Sequence, residues 1–237
     1  MAGMTFERIE KKYIIPPEKW DAFFSEFSKH FKIDQYGHHT ICNIYFDNAH
    51  NDLIVRSLEK PVYKEKLRIR SYGIPGKEDT VYLEIKKKYK GVVYKRRIGM
   101  PLKDAEAYIF DGICPEFTDY EKDRIFKEID YMIHFYGLQP SLYLAYNREA
   151  YFCPANERFR VTFDTDIRSR HEDFDLSSGD AGELLLPPGY RLMEVKAIDT
   201  LPLWFARLLS ELEIYSVSFS KFGNIYTKDN GGELYVL

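Results

Sequence analysis

Apolar and charged residues alternate through much of this chain. Lys64, Lys66, Arg68 and Arg70 are spaced by two, with Leu67 and Ile69 between them. Glu84, Lys86 and Lys88 repeat the spacing around Ile85 and follow Leu83; Lys95 and Arg97 continue it. Arg158 and Arg160 enclose Phe159, and Glu194 and Lys196 enclose Val195 after Met193. Arg8, Glu10 and Lys12 open the chain in the same way. Side chains two apart on an extended strand share a face. Each of these segments therefore predicts a strand with one charged face and one apolar face.

The remaining punctuation places these strands among helices. Phe6 to Ile15 reads as a strand, stopped by Pro16-Pro17, which also suits the first turn of a helix. That helix presents Trp20, Phe23, Phe24, Phe27 and Phe31 on one face, a core pattern. Strands are predicted over 38–46, 62–72, 80–89, 92–100, 141–152, 158–169 and 191–197, with a Lys90-Gly91 hairpin turn. Helices are predicted over 51–58, 101–110, 119–136 and 202–212, the third ended by Gly137 and Pro140. The polar stretch 170–189 reads as a mobile loop and 216–236 as short strands and turns. Many consecutive strands with a few amphipathic helices argue an α+β, mostly antiparallel fold. The helices cover the apolar strand faces, so the charged faces look away from them. From the residues alone, an open sheet with a wet charged face and a closed barrel with a charged lumen both remain.

Composition sharpens the chemistry. The chain has 237 residues, 45% hydrophobic and 30% charged, and a net charge of only -3, so it is not a globally basic nucleic-acid binder. Its basic residues gather in the strands. Acidic ones gather in the 119–136 helix and the 170–189 loop, which leaves a local positive field inside a nearly neutral total. Adjacent lysines and arginines on one face repel one another, and a bound polyanion relieves that repulsion. Cys42, Cys114 and Cys153 are isolated, which fits a reducing compartment better than a disulfide scaffold. The opening residues carry no secretory pattern, and no apolar run reaches the ~20 residues a membrane span needs. A cytoplasmic protein is expected, with no direct membrane span and no nucleic-acid partner. There is no HxxxH, GxGxxG, GxxxxGK[ST] or GxSxG signature. Asp164 and Asp166, two apart on a predicted strand, form a candidate metal pair or a pair engaged by arginines such as Arg168.

An ordered set of short motifs then carries a family resemblance. Arg8-x-Glu10-x-Lys12-Tyr13, Leu67-Arg68-Ile69-Arg70, Leu83-Glu84-Ile85-Lys86, Tyr146-Asn147-Arg148, Phe163-Asp164-Thr165-Asp166, Met193-Glu194-Val195-Lys196 and Phe219-Ser220-Lys221-Phe222 occur in that order. Together they resemble the VTC domain, the polyphosphate polymerase branch of the triphosphate tunnel metalloenzymes. The resemblance covers nearly the whole chain, read as a single domain over 1–237, without the fused inositol-phosphate-sensing domain or membrane segment of some relatives. It implies a closed, mainly antiparallel eight-stranded β-barrel, a tunnel with amphipathic helices packed outside. The wider superfamily opens with Glu-x-Glu-x-Lys; here Arg8 replaces the first glutamate, which favours the polymerase branch.

What the resemblance implies for individual residues is specific. Arg68, Arg70, Lys86 and Lys221 would spread charge in the transition state, and Glu194 would hold Mn²⁺ or Mg²⁺. Arg8, Lys12, Lys66, Lys88, Lys95, Arg97, Arg148, Arg158, Arg160 and Lys196 would bind phosphate, with Tyr146 and Ser220 as hydrogen-bond donors. Glu10, Glu84, Asp164 and Asp166 are further metal candidates. The expected partners are ATP and polyphosphate, and a membrane partner is compatible with the pattern. Two rivals share the charged face: a metal-dependent triphosphate or polyphosphate hydrolase, and a non-catalytic polyphosphate-binding module.

Overall fold

The computed structural model describes residues 8–198 and 200–234, with side chains from Glu10 onward. In chain order the elements are β1 (Arg8–Ile15), α1 (Pro17–Phe27), β2 (Lys32–Asp47), α2 (Asp52–Leu58), β3 (Tyr63–Tyr72), β4 (Thr80–Tyr89), β5 (Val92–Pro101), α3 (Leu102–Asp111), α4 (Tyr120–Tyr136), β6 (Gln139–Cys153), β7 (Asn156–Arg170), β8 (Glu183–Leu184), β9 (Arg191–Ile198), α5 (Leu203–Glu211), β10 (Ser216–Val217) and α6 (Lys221–Asp229). All strand pairings are antiparallel.

The sheet has ten strands in the order β10-β1-β9-β7-β6-β2-β3-β4-β5, with β8 beside β7. This differs from the expected closed eight-stranded barrel: among the described residues the ladder ends at β5 and β10, and the two ends are not hydrogen-bonded to each other. The sheet nevertheless curls. Lys66 Nζ on β3 lies 3.1 Å from Ser220 Oγ, and Lys12 Nζ on β1 lies 2.8 Å from the Phe219 carbonyl. Four strands separate β1 from β3 along the sheet, yet they reach the adjacent residues Phe219 and Ser220. Only a strongly bent sheet brings them there, as accumulated strand twist allows.

Alternation explains what lies on each side. Leu67, Ile69, Leu83, Ile85, Ile98 and Met100 point outward and are covered by α3 and α4. Phe159, Val161, Phe163, Met193 and Val195 point outward elsewhere, under the aromatic face of α1 and under α5. Phe23 and Phe27 are fully buried in this layer, each such burial contributing about 1.5–3 kcal/mol. A third apolar cluster lies on the concave side: Ile41, Leu142, Leu144, Ile167 and Leu192 meet Phe219, Phe222 and Ile225. It fills one end of the concavity.

Two segments differ from the sequence expectation. The end of the chain forms α6 where short strands and turns were expected. Ser220 caps it, its hydroxyl accepting from the Gly223 amide at 3.2 Å, and the Phe222/Ile225 spacing supplies a buried stripe. The 170–189 stretch is tied down by Arg170, whose guanidinium donates to the Gly179, Ala181 and Asp175 carbonyls, while Leu176, Leu185 and Leu186 are buried. β2 also begins six residues earlier than 38, through a bulge between Ile33 and His38. No helix among the described residues is long and apolar enough to cross a membrane.

Candidate functional site

The register stacks the charged side chains in rows across the concave face. Reading across β3, β4 and β5, Lys64, Lys88 and Val93 form one row, and Lys66, Lys86 and Lys95 the next. Arg68, Glu84 and Arg97 follow, then Arg70, Tyr82 and Gly99. From the other wall, Lys12 lies opposite Glu194, Glu10 opposite Lys196, Thr162 opposite Glu194 and Arg160 opposite Lys196. Lys87 points outward, where it pairs with Glu65 and Glu128.

One buried carboxylate organises each wall. Glu84 is 1% exposed; Arg68 donates to it from Nε and Nη2 at 2.8 and 2.7 Å, and Lys95 lies 2.8 Å away. Arg70 and Arg97 complete the set at 4.0 and 3.9 Å. Burial pushes the Glu84 carboxyl up, but Arg68, Arg70 and Lys95 outweigh it and hold it at about 2. Asp164 is fully buried and takes a two-pronged bond from Arg148 at 2.6 and 2.8 Å, plus Lys221 Nζ at 2.5 Å. Burial opposes its ionisation as well, and Arg148 and Lys221 override that. Both of these metal candidates are ion-paired with cations of the wall.

Asp166 is placed differently from the expected pairing with Asp164. A bulge in β7 sets it at φ 48°, exposed, accepting from Asn147 Nδ2 at 2.9 Å, while Ile167 returns to the concave side. Glu194 is the carboxylate that faces the open part of the concavity, with Lys196 at 2.5 Å and Lys12 at 3.8 Å. Burial raises its pKa; Lys196, Lys12 and Lys221 bring it down to about 2.

The lysines carry the repulsion that the sequence predicts. Burial, with Lys64, Lys12 and Lys86 nearby, brings Lys66 down to about 8 against the pull of Tyr45. Burial also lowers Lys12, with Lys221 and Lys86 adding to the effect, so β1, β4 and the start of α6 face one another electrostatically. Tyr146 joins the group: its hydroxyl is 3.3 Å from Arg70 Nη2, and Lys221 Nζ sits 4.3 Å over its ring. Thus Lys12, Lys66, Lys86, Arg68, Arg70, Lys95, Arg97, Tyr146, Arg148, Glu194, Lys196, Ser220 and Lys221 come together. Arg160 stands at the rim, pairing with Asp34 at 3.4 Å, and Arg158 is exposed near the β6–β7 turn. Lys88 is exposed on the same face, towards the β4–β5 turn. The Arg8 side chain lies outside the described residues.

The VTC domain matches residues 7 to 228. The chain belongs to the VTC domain family. Among curated relatives, subunit 4 of the vacuolar transporter chaperone complex from Trypanosoma brucei brucei is 30% identical over 162 residues, covering 58% of this chain and 20% of that protein. The Schizosaccharomyces pombe subunit of the same name is 27% identical over 151 residues, covering 56% and 21%. This VTC chain thus spans about a fifth of these relatives in the matched region. Solved structures share the fold. A Hippeastrum protein described as having a dominant triphosphatase activity superposes with TM-score 0.53 at 16% identity, over 97% of this chain and 99% of that one. A Bacillus halodurans protein with a provisional adenylate cyclase assignment gives 0.52 at 15% identity, over 90% and 93%.

Two residues of this VTC site escape charge alternation. Thr162, opposite Glu194, has a buried hydroxyl oxygen with no hydrogen-bond partner. An orphaned hydroxyl beside a carboxylate is a donor set that fits a divalent cation whose other ligands are phosphate and water. No cluster of three His, Cys, Asp or Glu side chains suited to a metal occurs among the described residues, so the protein itself offers few ligands. The second residue is Tyr45, read from the sequence only as part of an alternating strand. Its hydroxyl accepts from Arg68 Nη1 at 3.0 Å. Burial pushes its pKa up, but Arg68, Arg70 and Lys66 outweigh burial and bring it down to about 7.

A measurable consequence follows for Tyr45. Ultraviolet titration of the unliganded protein should show one phenolate appearing near pH 7, absent from Tyr45→Phe. Because the folded pKa lies below the unfolded value, its stabilising contribution grows as pH rises through about 7 towards 10. Inorganic polyphosphate should move the midpoint upward by neutralising the same cations. A Tyr45→Phe variant with an unchanged titration curve would refute the assignment.

Proposed function

We propose that this VTC domain transfers the terminal phosphoryl group of ATP to a growing polyphosphate chain within the concavity, which acts as a tunnel. The supporting observation is the convergence of Lys12, Lys66, Lys86 and Lys221 from β1, β3, β4 and the start of α6, with Glu194 as the carboxylate facing them. Membership in the VTC family supports the same reading. We read the curled sheet as the functional equivalent of the eight-stranded barrel wall.

Phosphoryl transfer requires positioning and charge neutralisation more than acid–base chemistry. The attacking terminal phosphate is largely ionised near neutrality, with a second pKa of about 6, so it needs no dedicated base. Arg68 and Arg70 are held rigid by Glu84, Asn43 and Tyr146, which presets their forks for phosphate oxygens. Lys66, Lys86 and Lys221 face the transferring group; Arg148 and Arg160 line the path of the acceptor. Glu194 and Thr162 would hold Mn²⁺ or Mg²⁺, which when bound neutralises phosphate charge. A cytoplasmic site would have ATP at hand. Relatives named as subunits of a vacuolar transporter chaperone complex support assembly with further subunits.

The decisive assay supplies ATP and Mn²⁺ to the purified chain. ADP release matched by acid-stable long-chain polyphosphate is the expected result. Orthophosphate without polymer would replace the proposal with a hydrolase, and polyanion-induced thermal stabilisation without turnover would replace it with a binding module.

A further inference from the structure

The tip of the β4–β5 hairpin carries a chemistry that the concave site does not use. On the outer face, Tyr63, Tyr89 and Val92 are cross-strand neighbours, followed by the row Glu65, Lys87 and Tyr94. Lys90 donates its amide to the Val62 carbonyl at 3.0 Å, so the start of β3 is part of the same tip. Val62, Val92, Tyr94 and Tyr89 are 64%, 54%, 52% and 47% exposed, and at the same apex Val93, turned to the concave face in the row of Lys64 and Lys88, is 48% exposed. The cover supplied by α4 reaches only as far as Glu128, which pairs with Lys87 and Arg96. Beyond that row Lys64 Nζ reaches the Ser57 carbonyl of α2 at 3.3 Å, while Val62, Val92 and Tyr94 stay largely exposed.

A contiguous apolar group of this kind on a small domain marks a contact surface. Its surroundings select the partner. Lys60, Lys64, Lys88 and Lys90 ring it, and Lys90 Nζ stands 5.5 Å from the Tyr89 ring. The acids nearby leave this ring largely uncompensated: Glu65 is engaged by Tyr63, Tyr136 and Lys87, and Glu128 by Lys87 and Arg96. Glu59, next to Lys60 in the chain, is exposed. A second copy docked edge to edge on β5 would bring together two edges that each carry the run Lys95, Arg96 and Arg97, which is unfavourable.

We propose that this tip docks on an anionic lipid surface. Valines at the apex enter the headgroup boundary, tyrosines lie at the interface, and lysine stems extend their ammonium groups to lipid phosphates. The unpaired backbone edge of β5 limits the depth, because bare peptide groups are not tolerated in hydrocarbon. This geometry sets the Lys64–Lys88 row of the concavity beside the bilayer.

The test is co-sedimentation of the whole chain with phosphatidylcholine vesicles, with and without phosphatidylserine. Binding is expected only with phosphatidylserine and should weaken with salt. Val92→Ser with Val93→Ser should reduce it about tenfold or more. Lys60→Gln and Lys90→Gln should each reduce it about fivefold. Val93→Trp should blue-shift its fluorescence on the same vesicles. All these positions are exposed, and unchanged circular dichroism confirms folding. Equal binding to neutral vesicles, no binding at all, or binding indifferent to the valine changes would overturn the proposal. So would a concentration-dependent dimer that the valine changes abolish. ATP turnover in solution is read separately, so failure of either reading is distinguishable.

Discussion

Glu84→Ala should lower folding stability by about 3–5 kcal/mol, the range for removing one partner of a buried ionic cluster. Glu84 is 1% exposed and is the shared counter-ion for Arg68, Arg70, Lys95 and Arg97. Its removal leaves two largely buried guanidinium groups facing lysines with no intervening negative charge. The loss should be conditional, because a polyanion entering the concavity restores that charge. Urea titrations with and without inorganic polyphosphate should show wild type gaining modestly and the variant gaining much more. Equal gains would mean that the polyanion binds elsewhere. The pH dependence has a definite sign. Glu84 has a folded pKa of about 2, below its unfolded value, so its contribution is complete above roughly pH 4.5 and falls away as pH drops towards 2. Glu84→Gln should flatten that part of the stability curve.

The charged face was readable because a two-residue period needs no tertiary information. Lys66, Arg68 and Arg70 share a face wherever β3 packs, and Lys87 must turn away from Lys86 and Lys88. Curvature is another matter. Nothing in the spacing of Lys12 and Lys66 says that strands with four others between them will meet at Phe219 and Ser220. That meeting depends on summed twist and on Phe219, Phe222 and Ile225 filling one end. The roles of the carboxylates were equally hidden. Glu84, Asp164 and Glu194 look alike in alternating strands. All three pair with cations, and Glu194, held by Lys196 and Lys12, is the one that also stands opposite an unpartnered Thr162 hydroxyl. Asp166 was misplaced because a bulge shifts the alternation by one residue, and no local residue announces it. Tyr45 escaped notice because a tyrosine in a strand is ordinarily packing; its phenol matters only through guanidinium groups contributed by β3. The α6 helix is hard to read from the sequence because its apolar stripe is short and Ser220, a phosphate-ligand candidate by resemblance, is also its cap.

Glu194→Gln should separate binding from turnover, which no other single change in the concavity does as cleanly. The substitution preserves shape and removes one negative charge that Lys12 and Lys196 now share. Those two lysines become freer to engage an anion, so equilibrium affinity for inorganic polyphosphate should hold or rise. Turnover with ATP and Mn²⁺ should fall about 100- to 1,000-fold, the scale for losing one preorganised charge-stabilising group. Thr162→Val should move turnover in the same direction by less, since a hydroxyl is a weaker cation ligand than a carboxylate. Lys12→Met supplies the contrast: it should weaken polyphosphate binding and reduce the salt dependence of affinity, because it removes a cation instead of a carboxylate. Retained turnover in Glu194→Gln would strip this residue of any role in holding a metal. Parallel loss of binding and turnover would mean that Glu194 serves to position Lys12 and Lys196, and the catalytic cation site would have to be sought at Glu10, the carboxylate of β1 that lies opposite Lys196.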